Sequence, residues 1–153
     1  MNNFLPEQRV DPEDELFNVL TYNGIAYHRD EEGVRFALMD AGREWETVCR
    51  YASQTVVIYG VYPFPVVNRA RALERMDAAN ALLKRGSLFL CGDRIALRTS
   101  AELFDAYSAQ EAITRALEYN AQAMTYFWNS MASCADEIRV FDIEDTKNKA
   151  KTQ

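Results

Sequence analysis

The sequence predicts an α+β domain, an antiparallel sheet with three helices in the order α-β-β-β-β-α-β-β-α. Three observations carry this. Between residues 25 and 62, apolar runs of strand length are separated by only a few turn residues, too few for crossovers, so neighbours pair antiparallel. Two long stretches, residues 68–85 and 108–131, repeat apolar residues every three or four positions. Between them, in residues 87–99, Gly92-Asp93 supplies the turn of a second hairpin.

Each element has its own justification. Residues 1–10 lack periodicity and are expected to form a loose arm. Asp11-Pro12-Glu13-Asp14 starts a helix with a capping carboxylate, proline at the first helical position and acids at the positive end of the dipole. Leu16, Phe17, Val19 and Leu20 form its apolar stripe, and Asn23-Gly24 stops it. Residues 25–29 and 34–40 pair about Glu31-Glu32-Gly33. In residues 44–51, Trp45, Thr47, Cys49 and Tyr51 alternate with Glu44, Glu46 and Arg50. Ser53-Gln54 then turns the chain into residues 55–62, a strand that Pro63 and Pro65 are expected to end.

The central helix, residues 68–85, carries Val66, Ala70, Leu73, Met76, Asn80 and Leu83 along one side, with Gly86 as its left-handed stop. Ser108 and Glu111 read as a capping box for the last helix, whose stripe is Ile113, Leu117, Asn120, Met124, Phe127 and Met131. Asn80 and Asn120 interrupt apolar stripes, and buried amides of this kind are expected to find backbone or side-chain partners. Residues 136–143 alternate weakly. The single domain spans residues 11–143, and the polar, lysine-rich residues 144–153 read as a disordered tail.

Composition narrows the function. The 153 residues are 48% apolar and 26% charged, as in ordinary globular domains. A net charge of -6 argues against sequence-independent nucleic-acid binding, which needs a basic surface. Arg69, Arg71 and Arg75 read as the solvated face of the central helix. No basic segment followed by an apolar run marks a signal peptide, and residues 52–68 and 119–135 are too polar to span a bilayer. Cys49, Cys91 and Cys134 are odd in number and widely spaced, so buried, reduced thiols in a cytoplasmic protein are expected rather than disulfides or a zinc site.

No catalytic motif, phosphate loop or cofactor motif is present, and the acids at residues 11–15 lack the turn glycine of a calcium loop. His28 is the only histidine. A small enzyme using Cys49 as nucleophile and His28 as base is the alternative that sequence leaves open. A purely structural or oligomeric regulatory domain is another. The aromatic group Tyr59, Tyr62 and Phe64, with Trp45 on a neighbouring strand, is the candidate protein-binding site. The run from Val56 to Tyr62 is apolar on both faces, and helices on one side of a sheet cannot cover both. A second copy or a client polypeptide is therefore the expected cover.

The order from Trp45 onward resembles the YbjN family of small bacterial proteins, which are labelled sensory transduction regulators. The likeness is carried by residues 45–51, 56–65, 69–80, 83–90, 95–99 and 113–127. It implies a fold like that of type III secretion chaperones, usually paired, whose relatives bind other polypeptides. It transfers no catalytic residue.

Overall fold

The first helix forms where its cap dictates. In the computed structural model, which describes residues 10–135, α1 (Pro12–Tyr22) begins at Asp11. The Asp11 Oδ1 accepts from the N–H groups of Glu13 at 3.0 Å and Asp14 at 3.4 Å. Gly24, at φ +66°, takes the left-handed position that ends the helix. Four strands follow as a meander: β1 (Tyr27–Asp30), β2 (Gly33–Asp40), β3 (Arg43–Ala52) and β4 (Thr55–Pro65). Then come α2 (Arg69–Leu82), β5 (Ser87–Cys91), β6 (Arg94–Glu102), α3 (Ala109–Tyr126) and the short α4 (Trp128–Ala132). The strands make one antiparallel sheet in the order β1-β2-β3-β4-β6-β5, so the α+β reading holds.

Register assigns the faces. The pairs Phe36↔Thr47, Cys49↔Ile58, Thr47↔Gly60 and Gly60↔Leu97 place these residues on one side of the sheet. The helices pack there. Towards one end, α1 and the start of α3 cover Val34, Phe36, Cys49, Val56 and Ile58. Towards the other, α2, α4 and the end of α3 cover Trp45, Tyr62, Leu88, Ile95 and Leu97. Between the two, α3 passes over Gly60, where Asn120 lies against the sheet.

Asn80 finds partners at both ends of its amide as expected, whereas Asn120 does so through Nδ2 alone, its Oδ1 being buried without a partner among the described residues. Asn80 exchanges two bonds with the backbone of Leu88, donating to its O at 3.1 Å and accepting from its N–H at 2.7 Å. Asn120 Nδ2 donates to Leu97 O at 3.2 Å, Thr99 Oγ1 at 3.1 Å and Ile58 O at 3.5 Å.

Several details differ from the sequence reading. Among the described residues there are four helices rather than three, because the last one breaks at Phe127 and resumes as α4. Strand β4 continues through both prolines to Pro65. Its ladder with β3 has already ended at Glu46↔Val61, so the missing proline N–H groups remove no bond from that side. Helix α2 stops at Leu82, not Arg85, because Leu83 is extended. Gly86 is instead a point of close approach: at φ +101°, a Cβ there would lie 2.3 Å from Arg98 O. The inward side of α2 is Ala72, Met76 and Ala79, leaving Leu73 exposed. Ser108 makes no side-chain cap; Asp105 Oδ1 accepts from its N–H at 2.8 Å, and Glu111 pairs with Arg115. Of the loose arm expected over residues 1–10, Val10 is instead buried and exchanges two hydrogen bonds with the Gln54 side chain; residues 1–9, the weakly alternating residues 136–143 and the tail over residues 144–153 lie outside the described residues.

The Gly60 contact makes a stability prediction. A Cβ at Gly60 would sit 2.6 Å from Asn120 Oδ1 and 3.1 Å from Met124, with no free space to enter. Gly60→Ala should therefore destabilise the fold by about 1–3 kcal/mol, the usual range for overpacking. Urea unfolding followed by circular dichroism measures it, and an unchanged midpoint would contradict the contact.

Candidate protein-binding face

Among the described residues the helices lie on one side only, and side-chain alternation leaves the other side of the sheet to cover itself. Val48 and Tyr59 pair across β3 and β4, Val61 pairs with Ala96, and Ala96 with Phe89. These residues floor an open groove of about 670 Å³ rimmed by Arg35, Glu46, Arg50, Cys91 and Arg98. Val48, Val57 and Ala96 are no more than 8% exposed although no helix lies over them. Neighbouring long side chains shield them: the Tyr59 ring meets Phe89 edge-on at 6.0 Å, and the Arg50 guanidinium lies 5.9 Å from the Tyr59 ring centre. Tyr59 and Phe89 themselves stay half-exposed.

Charge is unevenly satisfied around the rim. Arg35 is held by Asp30 at 2.7 Å and also pairs with Glu32 and Glu46. The bond from Arg35, with the backbone N–H of Glu32 next, holds the Asp30 carboxyl below its ordinary value. Arg50 and Arg98 have no carboxylate partner among the described residues. The groove therefore offers an apolar floor with two uncompensated guanidinium groups.

The predicted aromatic group is split by the sheet. Trp45 and Tyr62 are buried on the helix side, where Trp45, Tyr62 and Phe64 surround Trp128 of α4 at ring-centre distances of 5.9, 5.4 and 5.5 Å. The Tyr62 hydroxyl donates to Met124 O at 2.8 Å, and burial pushes its pKa up. These three are packing residues. Tyr59 alone of the four faces the groove. Phe89, Val48, Arg50 and Arg98 were missed there, although one signal was available: the run Leu88-Phe89-Leu90, like that of β4, is apolar on both sides.

The geometry does not assemble the alternative nucleophile and base. Cys49 lies under the helices and burial pushes its thiol pKa up, the reverse of activation. His28 pairs with Arg35, on the opposite face. Cys134 is buried as expected, but Cys91 is exposed because it ends the outermost strand β5 at the groove's rim. Arg69, Arg71 and Arg75 are exposed on α2. Among the described residues no cluster of acids, histidines and cysteines could hold a metal ion. No helix of the described residues is long and apolar enough to cross a membrane.

No protein-family model matches the chain, and no curated protein matches it. Among solved structures it is similar to YbjN, a candidate transcription regulator from E. coli. The two share 14% sequence identity at a TM-score of 0.54, over 74% of this chain and 89% of that one. At that identity the likeness is one of fold, and it agrees with the α+β architecture inferred from the sequence.

The Arg35 cluster gives a pH prediction. Because the folded pKa of Asp30 is lowered, its contribution to stability is present above the ordinary carboxylate value of 3.8 and is lost as pH falls through the lowered value. Arg35→Gln should return the Asp30 pKa towards 3.8 and flatten this part of the acid limb. An NMR titration of the Asp30 carboxyl reads the first effect and acid unfolding reads the second.

Proposed function

We propose that this chain is a non-enzymatic regulatory module that binds polypeptide, working as a homodimer in the cytoplasm. The observation that carries the reading is the groove that no described helix covers, whose half-exposed Tyr59 and Phe89 sit beside Arg50 and Arg98, neither paired with a carboxylate among the described residues. Apolar surface rimmed by charge is what a second polypeptide covers, at roughly 25 cal/mol per Å² buried. Its charge also fits a second copy. Along β3, Arg50 stands at one end of the open face and Glu44 at the other. A two-fold axis crossing the strands sets each against its opposite in the partner. An interface of about 800 Å² per chain suffices for a stable pair. The three thiols, none of them bonded to another, fit a reducing compartment. The description of YbjN as a candidate transcription regulator is in keeping with a regulatory role.

Sedimentation velocity at micromolar concentration tests the pairing. The unsubstituted chain should run at twice its 17.5 kDa mass. Tyr59→Asp should weaken the association about tenfold or more, since a buried interfacial charge without a partner costs several kcal/mol, while leaving the chain folded. A monomer at every concentration would overturn the homodimer, and a Tyr59→Asp chain that still pairs would move the interface off this face.

A further inference from the structure

We infer that the outer edge of β6, from Thr99 to Glu102, takes up an extended, acidic segment of a client polypeptide as an added strand. This rests on the reading of the chain as a polypeptide-binding module and gives the client a site apart from the face that pairs two copies. The first support is a step in the sheet. β4 runs beside β6 from Pro65↔Arg94 to Thr55↔Glu102, whereas β5 pairs with it only from Cys91↔Arg94 to Ser87↔Arg98. Past Arg98, no strand of the described residues lies on that side. Hairpin geometry identifies the groups left there. Gly92-Asp93 closes on Cys91↔Arg94, so Arg94 and every second residue after it turn N–H and C=O towards β5. Ser53-Gln54 closes on Ala52↔Thr55, so Val56, Ile58 and Gly60 turn theirs towards β6, where they meet Ala101, Thr99 and Leu97. Both hairpins therefore direct the backbone of Ser100 and Glu102 outward. Donors and acceptors that repeat every second residue select an extended partner. Four residues at 3.3 Å each make this edge about 13 Å long.

The second support is the groove beside this edge, about 590 Å³ between Ser100 and Glu102 of β6 and the flank of α3. Ala112, Ala116 and Tyr119 line it at helical spacing, and the two alanines leave room for a side chain of an added strand. The corner leading into β5 is held in place, because Tyr119 Oη accepts from the N–H groups of Lys84 at 3.1 Å and Arg85 at 3.3 Å. Phe104 lines the groove while 79% exposed, an apolar surface that a partner covers with gain. Charge then selects among extended partners. Alternation turns the Glu102 side chain to the open face, which leaves Arg85 and Arg115 as the charges beside α3. Arg115 pairs with Glu111, and Arg85 has no carboxylate partner among the described residues. A strand with an apolar residue against the alanines and an acid next on the same face is matched to this groove, and a basic strand is not. Because the groove lies under α3, pairing through the open face leaves it accessible.

A phage-displayed library of random dodecapeptides, panned on the full chain, supplies the probe. Enriched peptides should place acids beside apolar residues. Once synthesised, they should slow hydrogen exchange of the Ser100 and Glu102 amides about tenfold or more, read by NMR. N-methylation of every second peptide residue separates strand addition from side-chain docking. In one of the two alternating frames the lost N–H groups face β6 and binding should weaken about tenfold or more; the other frame should be tolerated. That comparison uses the unsubstituted chain, so it does not depend on a variant folding. Ser100→Pro removes an outward donor without touching the β4 ladder, and it should weaken binding about tenfold. Arg85→Glu should do the same and should bind peptides whose acids are exchanged for lysine. No enrichment, unchanged exchange at Ser100 and Glu102, or equal effects in both frames would overturn the inference. So would exchange that slows with protein concentration alone, which places a second copy on the edge, or that is already slow in the dilute free chain. Peptide binding of this kind by a chain that never pairs removes the homodimer alone. Pairing without any of these peptide effects removes this inference alone.

Discussion

The seat of Asn120 over Gly60 decides how closely α3 can approach the sheet. No side chain at Gly60 separates them, and the Asn120 amide donates to Leu97 O and Thr99 Oγ1 of β6 and lies 3.5 Å from Ile58 O of β4. Thr99 in turn donates to Ala116 O of the same helix at 3.3 Å. A buried amide left without such acceptors would cost about 1–3 kcal/mol, so this polar contact fixes the position of α3 more sharply than apolar packing could. From that seat, the start of α3 meets α1 in one core cluster and its end meets α2 and α4 in the other.

Once α3 is fixed, one-sided layering follows. The break at Phe127 lets α4 fold back and set Trp128 among Trp45, Tyr62 and Phe64. Asn80 joins α2 to β5 by bonding the Leu88 backbone as a strand neighbour would. With all helices committed to one face, the opposite face has only its own rim to shield it. The groove at Tyr59 is thus a consequence of the layer architecture of the described residues rather than a separate feature.

Local chemistry was the legible part. Asp11 caps α1, Gly92 turns the β5–β6 hairpin at φ +63°, and the alternation of Trp45, Thr47 and Cys49 with Glu44, Glu46 and Arg50 marks the buried side of β3. Each is a statement about neighbours within a few residues, where backbone sterics and side-chain direction dominate. The limits of local signals show at Pro63 and Ser108. A proline stops a strand only if a partner strand needs its N–H, and a serine caps only if its backbone is extended, whereas that of Ser108 is already helical.

Sequence by itself determined the number and order of the strands, their antiparallel pairing and the existence of an apolar second face in β4. Those properties depend on period-two alternation and short connections. Only the tertiary structure decided which aromatic residue faces which way. Tyr59 and Tyr62 differ by an odd number of positions, so they must lie on opposite faces, but which face the helices cover is settled by where α3 seats. That seat lies between residues 60 positions apart in the chain, a contact no local pattern records. It sends Tyr62, Phe64 and Trp45 into the core and leaves Tyr59, with Phe89, Arg50 and Arg98, on the open side.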